Sequence, residues 1–200
     1  MVASPQYLTP EDYLQFEAKS LIKHEYFGGK VSAMAGARDR HVTLTGNLGA
    51  LLRNHVRGTG CRVYISAMKA RIEARDRFYY PDVMVTCDPH DQETSAYKRF
   101  PKVVVEVLSS STEAFDRGDK FADYQTLESL EEYVLINTRH QRVECFRRNE
   151  AGLWVLQYFM PETAVPKTAT FCLKSIGFTA TIAALYEDVT LEQAEETSDL

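Results

Sequence analysis

The chain lacks the features that would commit it to several large classes of protein. No stretch approaches the roughly 20 consecutive apolar residues that a membrane helix needs, and the start, MVASPQYLTPEDYLQFEAKS, has no basic segment followed by an apolar run. No membrane partner and no signal peptide are expected, and a cytoplasmic location follows by default. The four cysteines, Cys61, Cys87, Cys145 and Cys172, contain no C-x-x-C pair, which leaves zinc-ribbon and thioredoxin-like motifs unsupported. Three of the four lie in apolar, strand-like runs, and small buried hydrophobes are their expected role. The five histidines lack metal-ligand spacing. G-x-x-x-x-G-K-[ST], G-x-G-x-x-G, H-E-x-x-H and G-x-S-x-G are all missing, so nucleotide-binding, zinc-protease and esterase readings have no motif behind them. The Ser109–Ser111 run has no base to pair with, and no basic–aromatic stripe of the single-strand-binding kind occurs. Basic residues are also in deficit, 23 against 28 acidic, for a net charge of −5. That argues against non-specific coating of nucleic acid, yet leaves room for an enzyme that engages a polyanion through a local basic face. Much of the excess acid sits in residues 189–200, which read as a solvated tail behind one domain spanning 1–188.

What is present is the profile of one globular domain: 200 residues, 44% apolar and 26% charged,. Thr9-Pro10-Glu11-Asp12 is a helix start, with a capping threonine, a proline suited to the first turn and acids at the positive end of the dipole; the helix is expected to reach about Ser20. Glu25 to Met34 reads as a hairpin turning at Gly28-Gly29. Val42, Leu44, Leu48, Leu51, Leu52 and Val56 form a helical stripe over about Arg38 to His55, ended by Arg57-Gly58-Thr59-Gly60. Strands are expected at Cys61–Ile65, Met68–Ala74 and Tyr79–Thr86, then a loop from Pro89 to Pro101. Lys102–Leu108 is continuous and β-branched, as in a strand buried on both faces. A helix over about Asp116–Leu127 follows, then strands at Glu132–Ile136, Arg142–Arg148, Leu153–Phe159 and about Phe178–Ile182, and a helical turn at Ala183–Tyr186. This order predicts an α/β (mixed α+β) fold, a mixed sheet flanked by helices.

Glu106 is the residue that packing explains least. It stands in Val103-Val104-Val105-Glu106-Val107-Leu108, where a bare carboxylate is costly unless it is paired or protonated. A buried ion pair to Arg or Lys, or an outward position on a half-exposed strand, accounts for it equally well when it is taken alone. Asp82, near the start of a second apolar strand, can be a cap residue after Pro81. Two acids on adjacent strands can instead converge at one sheet edge, where they repel unless a proton or cation sits between them. Oxygen ligands of this kind suit magnesium or manganese. Lys120 follows Asp116 at i+4 and precedes Tyr124 at i+4, along one helix face. It is either an exposed partner of Asp116 or a group aimed at the strand end, where it would stabilise charge on phosphate or orient and help deprotonate water.

Pro81-Asp82, Glu106-Val107-Leu108-Ser109, and Asp116 with Lys120 and Tyr124 together resemble the Uma2 family of restriction endonuclease-like proteins, within the PD-(D/E)XK nuclease superfamily. The likeness runs over nearly the whole chain, from His24-Glu25-Tyr26 and Gly29-Lys30-Val31 through His41 to Glu132-Tyr133-Val134-Leu135. It implies a restriction-endonuclease-like fold: a mixed four-stranded core sheet with flanking helices and additional antiparallel strands. It further implies that Asp82, Glu106 and the Val107 carbonyl bind Mg2+ or Mn2+, that Asp82, Glu106 and Lys120 are catalytic, and that Glu25 is a further acid or else a surface residue. His41 matches a family histidine that can cap, contact phosphate or pack, with packing the expectation. Lys69 and Arg71 are candidates for phosphate contact, with a solvated strand face the plainer reading. One departure stands out: two residues after the acid, where the superfamily pattern has lysine, this chain has Leu108, so that Lys120 on the next helix would take the part.

Three readings follow. The first is a metal-dependent endonuclease hydrolysing DNA phosphodiesters, a homodimer by likeness to superfamily enzymes that cut both strands. The second is a nucleic-acid- or partner-binding module that kept the fold and lost turnover. The third is an assembly protein in which Glu106 is merely paired to an arginine such as Arg71.

Overall fold

The structure, a computed structural model, describes residues 7–161 and 169–191. Of the expected acidic tail, residues 192–200 lie outside the described residues. Thr9 caps α1 (Pro10–Glu17) through a reciprocal capping box with Asp12,. The helix ends at Glu17, short of the expected Ser20, and Tyr13 on its inner face packs against Tyr26 and Phe78. β1 (His24–Phe27) and β2 (Lys30–Ala33) form the expected hairpin. Its turn residues Gly28 and Gly29 have φ of 51° and 94°, which residues with a side chain rarely adopt,. α2 (Asp39–His55) buries Leu44, Leu48 and Leu52, the stripe that its periodicity predicts.

Next come β3 (Arg62–Ile65), β4 (Lys69–Ile72), β5 (Arg77–Tyr79) and β6 (Val83–Thr86). The strand expected over Tyr79–Thr86 is thus two strands, and they belong to different sheets. Pro81 has no N–H to give to a ladder, and the N–H of Tyr80 goes to the Glu25 side chain at 3.3 Å. The chain therefore crosses between sheets at Tyr80–Asp82. The expected loop from Pro89 to Pro101 contains a 3-10 turn at Pro89–Gln92 and a short β7 (Tyr97–Lys98). Buried Asp91 organises it by accepting the N–H groups of Arg99 (2.7 Å) and Phe100 (3.2 Å).

β8 (Pro101–Val107) leads to α3 (Glu113–Arg117) and α4 (Asp119–Tyr124). The single helix expected here starts earlier and breaks at Gly118, where a Cβ would stand 3.1 Å from the Ala114 carbonyl oxygen. β9 (Glu132–Ile136), β10 (Val143–Arg148) and β11 (Trp154–Phe159) follow, then β12 (Thr170–Leu173), β13 (Phe178–Thr181) and α5 (Ile182–Leu185). β12, which the sequence reading did not anticipate, pairs antiparallel with β13.

Among the described residues the central sheet has six strands in the order β11-β10-β9-β8-β6-β3. β8 and β9 are parallel and the other neighbours antiparallel. A second sheet has the order β2-β1-β5-β4-β7, and β12-β13 form a third. The fold is thus the expected mixed α/β architecture, its central sheet longer than the four-stranded core. Alternation along β8 sends Val103, Val105 and Val107 into one core with the α2 leucines,. Val104 and Leu108 enter the opposite core with Phe121, Tyr124 and Tyr79. Glu106 shares that second parity, so it faces α4.

The cysteines correct one expectation. Cys61 and Cys87 form a disulfide, while Cys145 and Cys172 are free. The register of β3 on β6 pairs Arg62 with Thr86, which brings the next residue of each strand face to face. Their separation of 26 residues gives no hint of this until the strand partners are known.

Candidate functional site

The crossing at Tyr80–Asp82, the end of β8 and the start of α4 meet at one place. β6 pairs with β8 through Val83 and Val105, and one step further the same register sets Asp82 opposite Glu106. The Asp82 carboxylate accepts the Val107 N–H at 2.8 Å, and its carbonyl accepts the Ser66 N–H at 2.9 Å, so both ends of the residue are fixed. His41, from the first turn of α2, places Nε2 3.1 Å from Asp82 Oδ2. This corrects the expectation that His41 simply packs. Burial disfavours the charged imidazole, but Asp82 and, behind it, Asp116 outweigh burial and raise its pKa,.

Glu106 is 3% exposed, and Lys120 Nζ lies 2.9 Å from its Oε1. The same ammonium is 3.5 Å from Asp116 Oδ1 and 3.4 Å from Glu25 Oε1. Glu25 and Glu106, from separate segments, therefore meet with Asp116 on the Lys120 ammonium, and Asp82 adds its field to Glu106 and Asp116. The break at Gly118 leaves Asp116 and Lys120 on one face, as their spacing predicts, and with Tyr124 all three are buried, so the pair is not an exposed one.

Three carboxylates, Glu106, Glu25 and Asp116, face the Lys120 ammonium, while Asp82 pairs with His41. Burial raises the Glu106 pKa well above the ordinary range; Lys120 opposes the shift, while Asp116 and Asp82 add to it. Asp116 is likewise raised by burial against the pull of Lys120. Burial disfavours the Lys120 ammonium, yet Glu106, Glu25 and Asp116 together overcome it and hold the proton firmly. Glu106 Oε1 is buried, and the Lys120 ammonium meets it at 2.9 Å outside good hydrogen-bond geometry. The Tyr124 hydroxyl, buried beside Glu106, has no hydrogen-bond partner among the described residues.

Asp116 is the residue to which sequence reasoning gave no site role, although its i, i+4 spacing to Lys120 was visible. The Tyr133 hydroxyl donates to the Asp116 carbonyl at 2.8 Å, a contact that its place in the matching Glu132-Tyr133-Val134-Leu135 run does not reveal. Arg71 is not the partner of Glu106: it pairs with Asp76 at 2.8 Å and lies over the Phe78 ring. Lys69 lies over the Tyr80 ring, 5.1 Å from its centroid. A cavity of about 330 Å³ lined by Phe27, Phe115, Arg77 and Asp123 shares only the Tyr79 wall with this cluster. Among the described residues no three His, Cys, Asp or Glu side chains stand ready-made as a metal cage, and no helix is long and apolar enough to cross a membrane.

A family model described as "Uma2: Putative restriction endonuclease" matches residues 10–173. The chain is 36% identical over 179 residues to the uncharacterized protein slr1290 of Synechocystis sp., covering 90% of this chain and 91% of that protein. It is 34% identical over 167 residues to sll1609 of the same organism, covering 82% and 94%. In three dimensions it is similar to a crystallised protein of Anabaena variabilis described as a putative nuclease belonging to DUF820. The TM-score is 0.69 over 90% of this chain and 97% of that one, at 14% identity, a likeness of fold.

Proposed function

The chain belongs to the Uma2 family, and from that premise we propose that it is a divalent-metal-dependent endonuclease that hydrolyses phosphodiester bonds of DNA. The observation that carries this reading is the charge imbalance at the sheet edge. Glu25, Glu106 and Asp116 gather around the ammonium of Lys120, and Asp82, held by His41, adds its field to Glu106, an acid-rich arrangement that gains from a further cation.

The donor set fits a hard ion. Glu106 Oε1 is a buried carboxylate oxygen that the Lys120 ammonium meets at 2.9 Å outside good hydrogen-bond geometry. Asp82 is held against β8 by the Val107 N–H. In an extended strand a residue's N–H and C=O leave on the same side, so the Val107 carbonyl opens toward Asp82. Asp82, Glu106 and that carbonyl would hold Mg2+ or Mn2+, with water and phosphate oxygens completing the shell. The bound ion supplies Lewis acidity toward phosphate and water. Lys120 keeps its proton among the acids, so its part is to donate to phosphate oxygens or to orient water rather than to act as a base. His41 fixes the Asp82 carboxylate from the α2 side, and Glu25 and Asp116 hold the Lys120 ammonium in place.

The test is nicking of supercoiled plasmid in magnesium or manganese. Asp82→Ala and Glu106→Ala are expected to lose at least about 100-fold, since even outer-shell partners of a metal cost 10–100-fold. Undiminished cutting by either folded variant refutes the assignment. The filling of the acid cluster by Lys120, with Leu108 in the usual lysine position, favours a second reading: a binding module without turnover. DNA binding that is tight and indifferent to metal, with no nicking by the parent chain, would select it.

A further inference from the structure

Two ammonium groups share one aromatic ring beside the acid cluster. Lys23 Nζ is 5.7 Å and Lys69 Nζ 5.1 Å from the centroid of the Tyr80 ring. Tyr80 is two residues from Asp82, a reach of at most about 7 Å of extended chain. Lys23 is anchored on the same crossing, because its ammonium donates to the Ser66 carbonyl at 2.7 Å and the Ser66 N–H donates to the Asp82 carbonyl at 2.9 Å.

Among the described residues neither ammonium forms an ion pair. The acid that Lys69 feels is Glu17, and its oxygens are already taken: Oε1 accepts the His24 N–H and the Tyr80 hydroxyl, both at 2.9 Å, and Oε2 lies 3.0 Å from the His24 ring. Arginines elsewhere on the second sheet are spent on acids, Arg71 on Asp76 and Arg77 on Asp123. Half-burial disfavours the Lys69 charge, and Glu17 offsets only part of that cost,. The ring face of Tyr80 attracts both but neutralises neither. In a chain of net charge −5 such a pair asks for an anion. Lysine is a compact point charge suited to phosphate.

We propose that Lys23 and Lys69, set against Tyr80, form a subsite for a backbone phosphate of DNA next to the phosphodiester attacked at Asp82 and Glu106. The position of the cut relative to the subsite rests on the nuclease reading; the anion site itself does not.

The test uses the full chain and a fluorescently labelled DNA duplex, with anisotropy followed across a range of salt concentrations in the presence of calcium. Each of Lys23→Gln and Lys69→Gln is expected to lower the slope of log affinity against log salt by about 0.9, the value of one phosphate contact on duplex DNA. Lys174→Gln, on a distant turn, should leave the slope unchanged. Lys69→Gln removes a charge without an ion-pair partner and should melt no lower than the parent, whereas Lys23→Gln also gives up the Ser66 hydrogen bond, so its slope is read at a temperature where the variant is folded. Unchanged slopes in both variants overturn the subsite, as does loss of binding to anionic lipid vesicles with DNA binding intact. Plasmid nicking separates the failures: nicking with unchanged slopes sinks only the subsite, and lowered slopes without nicking sink only the nuclease reading.

Discussion

Lys120 Nζ and Glu106 Oε1 meet at 2.9 Å inside the protein, with Lys120 5% and Glu106 3% exposed. The pair is electrically incomplete, because Asp116 and Glu25 crowd the same ammonium and Asp82 adds its negative field to Glu106. A buried pair of this kind is weak evidence for added stability, but losing one member strands the other.

Lys120→Met is therefore expected to destabilise the chain by about 3–5 kcal/mol near neutral pH. The loss depends on pH. A carboxyl whose folded pKa is raised contributes stability that is present at low pH and lost as pH rises through that value. Without Lys120, Glu106 can escape the penalty only by protonation, so the loss is smaller at about pH 5 than at about pH 8. Urea unfolding at the two pH values checks this; equal losses would contradict it.

His41 gives the complementary case. Its pKa is raised from 6.5, with Asp82 and Asp116 outweighing burial. The stability it contributes is fully present below the unfolded pKa and fades as pH rises through the folded one. Against His41→Gln, measured without divalent metal, the parent should be more stable by on the order of 1.5–3 kcal/mol in mildly acidic solution. That advantage should shrink on the alkaline side, and an advantage that grows with pH would mean that His41 faces no acid.

The cysteines yield a count. With Cys61 and Cys87 joined, the unreduced chain in denaturant should show two thiols, Cys145 and Cys172, and the reduced chain four. In the folded chain Cys145 should resist alkylation near pH 8, because burial, with Glu132 next to it, pushes its thiol up to about 12,. Half-exposed Cys172 should react. Four thiols without reduction would remove the disulfide.

Much of the fold was legible because the signals were local. The Thr9–Asp12 capping box, the Gly28-Gly29 turn, the α2 leucine stripe and the unbroken β-branched run of β8 each follow from spacing within a few residues. Glu106 stood out because its strand neighbours are apolar, and Lys120 because Asp116 lies one turn before it. What was hidden depends on partners far along the chain. The Tyr80–Asp82 crossing cuts one apparent strand in two, since the Tyr80 N–H answers to Glu25 rather than to a ladder. The His41–Asp82 pair, the Cys61–Cys87 bond and the Lys23–Tyr80–Lys69 group join segments whose proximity only the sheet order reveals. Gly118 shows the same limit at short range: the Asp116–Lys120 spacing survives the helix break, so the pattern reads correctly while the element is misjudged.

The measurement that bears most directly on the central claim is a crystal structure grown in excess manganese, with the ion located by its anomalous scattering. One peak is expected, bounded by Asp82, Glu106 and the Val107 carbonyl, with Lys120 Nζ displaced from Glu106 Oε1 or turned toward a bound anion. A map with no peak there, and Lys120 still seated among Glu106, Asp116 and Glu25, would contradict the account.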